Sequence, residues 1–289
     1  MFNQTVNKID INLGRDEIIG LIRLVADVSL EAGALAMQYH GGKQLEVKLK
    51  GDFSPVTKAD KEASRIITER LSVTGRNTIS EEEKIPGYEI RKHWEEVWII
   101  DPIDGTKEFI RGSGDFTVNI AFVTGNEVIM GVVYLPYFNE LYYGIKGVGA
   151  FKQITDQHKL IETNMLSPEL KITPRTEGGK LTVVTSTSHY NLKTRRFVDN
   201  IQKKNPFVEI VRRGSSLKYC LVAEGKADIY PRLSTIHEWD TAAGQAIAEA
   251  SGCIVVGSDG SSPLCYNKKR LTTPPNIVAA SQSIMKKLL

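Results

Sequence analysis

The chain has 289 residues, 41% hydrophobic and 25% charged, a composition that excludes disorder and collagen-like repeats. Its 37 basic and 34 acidic side chains leave a formal charge of +3, too balanced for nucleic-acid binding through net charge. No long uninterrupted apolar stretch predicts a membrane-spanning helix. Cys220, Cys253 and Cys265 match neither a CxxC metal pattern nor a disulfide framework, which favours a reducing compartment. The first residues, Met1-Phe2-Asn3-Gln4, carry no secretory pattern, so the cytoplasm is the default.

The spacing predicts a first helix over Asp16–Tyr39, where Leu21, Val25, Val28, Ala32 and Leu35 recur at steps of four and three and Gly41-Gly42 ends the run. A second helix is predicted from Asp60 to Leu71, with the Asp60 carboxylate near its free N–H groups. Asn77-Thr78-Ile79 and Val97-Trp98-Ile99-Ile100 read as strands, the latter buried on both faces. Thr117–Val123, Val128–Tyr134 and Leu141–Gly144 follow closely enough to predict an antiparallel meander. From Thr155 to Gly179 the sequence reads as loops with little pattern. Beyond Lys180, strands at Leu181–Thr185, Val208–Val211, Ala227–Tyr230, Ile254–Val256 and Ile277–Ala279 alternate with helices at Lys193–Lys203, Ser216–Glu224 and Thr241–Ala250. That alternation indicates an α/β layer. A soft boundary near residue 151 divides the chain into an α+β half, 1–151, and an α/β half, 152–289.

Asp101-Pro102-Ile103-Asp104-Gly105-Thr106 concentrates the chemistry. An apolar strand runs into two acids three residues apart, and carboxylates at the end of a buried strand cost desolvation unless a cation or donors compensate. Hard divalent cations such as Mg²⁺ prefer carboxylate and carbonyl oxygens, including that of Ile103. Asp-Pro and Asp-Gly are also strong turn formers, so a surface turn accounts for the pair equally well. Ser80-Glu81-Glu82-Glu83 fits a solvated charged face, and Asp60 and Asp240 fit helix capping.

Four strings in order give these acids a joint meaning: Ser54-Pro55-Val56-Thr57-Lys58-Ala59-Asp60, Ser80-Glu81-Glu82, Asp101–Thr106, and Trp239-Asp240-Thr241-Ala242-Ala243-Gly244. They resemble the SPVTxAD, GEE/SEE, DPxDGT and WDxAAG segments of the lithium-sensitive, magnesium-dependent phosphatases related to inositol monophosphatase. The longer string Asp101–Asn119 resembles the bacterial CysQ-type 3′(2′),5′-bisphosphate nucleotidases. So do Gly214-Ser215-Ser216-Leu217-Lys218, Cys220–Gly225 and Tyr230-Pro231-Arg232. Inositol monophosphatases carry TTNF where this chain has Thr106-Lys107-Glu108-Phe109; Ile103 stands where many CysQ-type proteins have leucine.

The resemblance implies an α+β fold, the layered α/β/α/β/α sandwich of the sugar phosphatases with two packed subdomains. It implies two to three Mg²⁺ ions, one on Glu81, Asp101 and the Ile103 carbonyl, a second on Asp101, Asp104 and Asp240, and a weaker third near Glu81. Glu81 orients or deprotonates the attacking water, and Asp60 with Thr106 positions it. Gly105 and Thr106 face the phosphate being cleaved; His189, Ser215, Lys218 and Arg232, with Asp240, hold the rest of the substrate. Arg212 and Arg213 are surface charge. The implied reaction is hydrolysis of adenosine 3′,5′-bisphosphate to AMP and phosphate, with 3′-phosphoadenylyl sulfate as a second substrate, in recycling the by-product of sulfate activation. The alternative is the same chemistry on an inositol or sugar monophosphate. The partner implied is therefore a small bisphosphate nucleotide, not a nucleic acid. Oligomeric state and peripheral association with the inner membrane stay open.

Overall fold

A computed structural model describes residues 14–42, 47–49, 55–175 and 180–288. Lys50, Ser54 and residues 176–179 lie outside the described residues.

Helix α1 (Arg15–Tyr39) follows the predicted span, with Val25, Val28 and Ala32 fully buried and Leu35 partly so. Strands β1 (Val47–Leu49) and β2 (Pro55–Thr57) form a short antiparallel ribbon leading into α2 (Lys58–Leu71). Helix α2 starts two residues before Asp60 because Thr57 caps it. The Thr57 hydroxyl accepts from the Asp60 N–H, and the Asp60 carboxylate accepts from the Thr57 N–H at 2.8 Å. Then come β3 (Asn77–Ser80), α3 (Tyr88–Arg91), β4 (Glu96–Asp104), α4 (Thr106–Ile110), β5 (Thr117–Thr124), β6 (Glu127–Leu135), β7 (Glu140–Ile145), β8 (Gly149–Asp156), β9 (Lys159–Leu160) and β10 (Lys171–Ile172). They build one sheet in the order β10-β8-β7-β6-β5-β4-β3, with β9 against β8. The predicted meander is present from β4 to β8, and β3 lies parallel to β4.

The chain then crosses the expected boundary at 151 inside β8, and residues 182–288 supply β11 (Thr182–Ser186), α5 (Leu192–Lys204), β12 (Glu209–Arg213), α6 (Leu217–Ala223), β13 (Ile229–Arg232), β14 (Ile236–His237), α7 (Ala242–Ser251), β15 (Ile254–Gly257), β16 (Thr272–Thr273), β17 (Asn276–Ala279) and α8 (Gln282–Leu288). Their sheet runs β12-β11-β13-β17-β15.

Five layers result. Helices α1 and α2 bury Ile22, Val25 and Ile67 against Trp98, Ile120 and Val132 on one face of the large sheet. Helices α6 and α7 bury Leu217, Ala243 and Ile247 against Ile79, Ile99 and Tyr142 on its other face. Their far sides, through Val222 and Ala248, meet Val184, Val255 and Val278 of the small sheet. Helices α5 and α8 close that sheet from outside with Val198, Ile201 and Met285.

The contact between α7 and the large sheet depends on small residues. Gly131 and Gly144 are direct partners on β6 and β7. A Cβ on Gly131 would stand 2.7 Å from the Ala243 carbonyl oxygen, and one on Gly144 would stand 2.6 Å from Ile247 Cα. Alanines at 243 and 246 let the α7 backbone lie directly on these glycines, which fixes the height of Asp240 over the sheet.

Candidate active site

Strand β4 is longer than its apolar core predicts: it continues through Pro102 and Ile103 to Asp104. Its pairing with β5 shifts between Asp101, opposite Asn119, and Asp104, opposite Thr117. In a regular strand residues three apart face opposite ways; an irregularity resets the alternation, and both carboxylates enter one cleft. The Ile103 N–H donates to Asp101 Oδ1 at 3.1 Å and stiffens the turn. Gly105 follows at φ 90°, a left-handed conformation that suits glycine, and passes the chain into α4.

Glu81, just beyond β3, and Asp240, just before α7, complete an acid cluster with Asp101: one oxygen from each lies within 4.8 Å of the others. Asp240 does not cap α7. Thr241 occupies that position, and the Asp240 Oδ2 accepts from the His237 N–H at 3.1 Å instead. Asp60 does take part in a cap, and it does more: the Thr106 hydroxyl lies 3.3 Å from both Asp60 Oδ1 and the Ile103 carbonyl oxygen. With one hydrogen to give, it keeps lone pairs for a further donor.

Burial dominates the electrostatics. It pushes the carboxyls of Asp101 and Asp240 well above the ordinary carboxylate range, reinforced for Asp101 by Glu81 and Asp104 and for Asp240 by Asp104 and Glu81. Asp104 is raised by burial but held back by Lys218, Ser216 and Asn119. Asp101 Oδ2 is buried with no hydrogen-bond partner among the described residues. Converging hard oxygens, one of them the unsatisfied Asp101 Oδ2, are the donor set a divalent cation satisfies, so Glu81, Asp101 and Asp240 fit a metal.

The same cleft, about 510 Å³, is also lined by the cationic side chains Lys218 and Arg232. Lys218, only 4% exposed, donates to the Ser215 carbonyl oxygen. Burial first, and Arg232 among its neighbours, push its ammonium down to about 8 against the pull of Asp104. Arg232 Nε and Ser215 Oγ are buried without partners among the described residues. His189 stands at the exposed rim; partial burial of its ring, then Arg232 and Lys107, hold its pKa below the ordinary range. Glu81, Asp101, Ile103, Asp104, Gly105, Thr106, His189, Ser215, Lys218, Arg232 and Asp240 all line the cleft. Asp60 reaches it through Thr106. Arg212 and Arg213 are exposed, as expected, although Arg212 lies over the Tyr190 ring at 5.1 Å.

The inositol monophosphatase family model matches residues 21–289. The chain belongs to the inositol monophosphatase family, and it is a phosphatase. Among family members, the 3′(2′),5′-bisphosphate nucleotidase CysQ of Escherichia coli (strain K12) is 39% identical over 247 residues, 85% of this chain and 93% of that protein. The Haemophilus influenzae protein of the same name is 33% identical over 261 residues, 89% of this chain and 91% of its own. The crystal structure of CysQ from Bacteroides thetaiotaomicron, at 38% identity, superposes with a TM-score of 0.81 over 91% of this chain and 98% of that one. An IMPase from Thermotoga maritima, at 25% identity, gives 0.71 over 93% and 96%. This layered family fold is the one the sequence predicts.

Beside the predicted residues, several that motif reading passed over support the lining of this family member's cleft from behind. The Ser188 hydroxyl donates to Glu108, and Asp115 Oδ2 accepts from the Gly214 N–H at 2.9 Å. A Cβ on Gly214 would meet the Asp115 carbonyl oxygen at 2.5 Å, so glycine there allows the turn before α6 to lie against Asp115. Ser216 and Asn119 reach Asp104. All but Ser188 lie inside a string already singled out, but the Ser188–Glu108, Asp115–Gly214 and Ser216–Asp104 partners stand 80, 99 and 112 residues apart, and no local pattern announces those pairs.

Proposed function

We propose that this chain hydrolyses the 3′-phosphate of adenosine 3′,5′-bisphosphate, giving AMP and phosphate, and that it accepts the 5′-sulfated form, 3′-phosphoadenylyl sulfate, as well. The observation that carries this reading is the mixed charge of one cleft. Glu81, Asp101, Asp104 and Asp240 share it with the buried Lys218 and the half-buried Arg232, a match for a substrate with one phosphate for a metal and a second anionic group that needs its own partners. The nucleotidase relatives support the same substrate class.

Glu81, Asp101 and the Ile103 carbonyl hold one Mg²⁺, and Asp101, Asp104 and Asp240 a second, with a weaker third near Glu81. When bound, such ions neutralise the phosphate and support an in-line displacement by water. Thr106, fixed by Asp60, accepts a hydrogen bond from that water, and Glu81 orients it and takes its proton. Gly105 and Thr106 present backbone N–H groups toward the scissile phosphate. In the same cleft the Lys218 ammonium, the Ser215 hydroxyl and the Arg232 guanidinium bind the 5′-group, and His189 closes the rim. Metal chemistry thus belongs to residues 1–151, with Asp240 added from the half, 152–289, that recognises the nucleotide.

No helix among the described residues is long and apolar enough to cross a membrane. The deciding experiment is phosphate release from adenosine 3′,5′-bisphosphate, inositol 1-phosphate and fructose 1,6-bisphosphate, each with Mg²⁺, with chelator and with added Li⁺. Preference for the nucleotide, dependence on Mg²⁺ and inhibition by Li⁺ are the expected results. A preference for the inositol or sugar phosphate keeps the metal site and overturns the assignment of Lys218, Ser215 and Arg232.

A further inference from the structure

Asp104 is held from behind by two residues that nothing above places in the reaction. Ser216 Oγ lies 2.9 Å from Asp104 Oδ2 and 3.0 Å from the Asp240 carbonyl oxygen. Asn119 Nδ2 lies 2.9 Å from Ser216 Oγ and 3.3 Å from Asp104 Oδ2. Both residues are buried, at 1% and 0% exposure. The hydrogen inventory orders the chain. Asn119 has two N–H groups and both its neighbours here are oxygens; Ser216 has one hydrogen, and of its two acceptors the carboxylate is the stronger. The Asn119 amide therefore donates to the Ser216 hydroxyl, which donates on to Asp104.

Two observations mark this relay as more than packing. The carbonyl side of Asn119, Oδ1, is buried with no partner among the described residues, a cost a buried amide bears when its N–H groups are needed. The turn carrying Ser216 is also clamped against Asp115: the Gly214 N–H donates to its carboxylate, and a Cβ on Gly214 would stand 2.5 Å from its carbonyl oxygen.

We propose that Ser216 and Asn119 are positioning residues that aim the second oxygen of Asp104 at the divalent cation, so that the second half of the molecule sets the metal affinity of the first. The inference rests on the metal reading above. Outer partners of this kind orient a ligating carboxylate and raise its affinity for the ion.

Calorimetric titration of Mg²⁺ into metal-free protein tests it without any substrate. Ser216→Ala is expected to weaken Mg²⁺ binding about tenfold, the low end for such partners, while kcat at saturating Mg²⁺ stays near that of the unchanged enzyme. Ser216→Cys, whose thiol is a weak donor, is expected to fall between. Asn119→Ala added to Ser216→Ala is expected to cost little more than Ser216→Ala alone, since Asn119 acts mainly through the serine. A purely structural serine would lower the unfolding temperature in chelator and leave the Mg²⁺ isotherm alone. Unchanged Mg²⁺ affinity in both serine variants, or full additivity in the double variant, overturns the relay. If Ser216→Ala fails to fold, the same isotherm on Ser216→Cys decides. Absence of any Mg²⁺ isotherm in the unchanged protein would overturn the metal reading and the relay with it.

Discussion

Burial raises the pKa of Asp101, and Glu81, Asp104 and Asp240 raise it further. Asp101→Asn keeps the shape and removes a like charge. We expect activity at saturating Mg²⁺ to fall at least ~10³-fold, the equivalent of several kcal/mol of lost metal assistance. In chelator the same variant is expected to melt higher than the unchanged protein by a few degrees, about 1 kcal/mol, because repulsion among buried carboxylates is relieved. Calorimetric melting in EDTA checks the sign, and a lower melting temperature would contradict the electrostatic account. Lys218→Ala removes a charged hydrogen bond worth about 1.5–3 kcal/mol, so KM for the bisphosphate nucleotide should rise roughly 10- to 100-fold with little change for a small phosphate ester. Lys218 also gives a pH signature. Its ammonium, pushed down to about 8, is intact at pH 7 and lost as pH rises through that value. KM for the nucleotide is therefore expected to climb between about pH 7 and 9, measured relative to the small ester, and Lys218→Arg should flatten that limb because a guanidinium stays charged.

Helix α7 and the strands beneath it show how packing reaches the chemistry. Gly131→Ala would place a methyl 2.7 Å from the Ala243 carbonyl oxygen and 2.8 Å from its Cα, both backbone atoms that cannot rotate away. Overpacking of this kind costs about 1–3 kcal/mol, and because Asp240 lies just before α7, the Mg²⁺ concentration for half-maximal activity should rise together with the loss of stability. A fall in melting temperature without a metal effect would show that α7 shifts independently of Asp240. The same region explains which elements the sequence discloses. Helix α1 and strands β5 to β7 are legible because their apolar periods match one buried face or two. Strand β8 was hidden beyond Phe151 because its polarity is inverted: Gln153 and Thr155 are buried at 4% each while Ile154 is 51% exposed. Gln153 faces inward to meet Met165 and the Glu162 N–H, partners supplied by the poorly patterned stretch that follows. The early start of α2 was legible in principle, since Thr57 and Asp60 stand in the three-residue spacing of a capping box.

Metal binding should also register in the stability of the protein as a whole. A ligand that binds only the folded state adds about 2.7 kcal/mol at a hundredfold excess over its Kd, so Mg²⁺ is expected to raise the melting temperature by several degrees, with chelator reversing the gain. No shift at millimolar Mg²⁺ would contradict a cation site at the acid cluster. The acids themselves are a sequence property. Asp101 and Asp104 follow a buried strand, Glu81 follows another and Asp240 precedes a helix, and local backbone rules place such residues at element ends wherever the elements go. Their order along the chain was enough to identify the family. What the chain order could not contain is the meeting of Ser216 with Asp104, 112 residues apart, or of Asn119 with Ser216, 97 apart. Those contacts exist because α6 and α7 are pressed between two sheets, bringing the start of α6 against the end of β4. A hydrogen bond depends on angstrom distances between side chains, and only the stacked layers fix those distances.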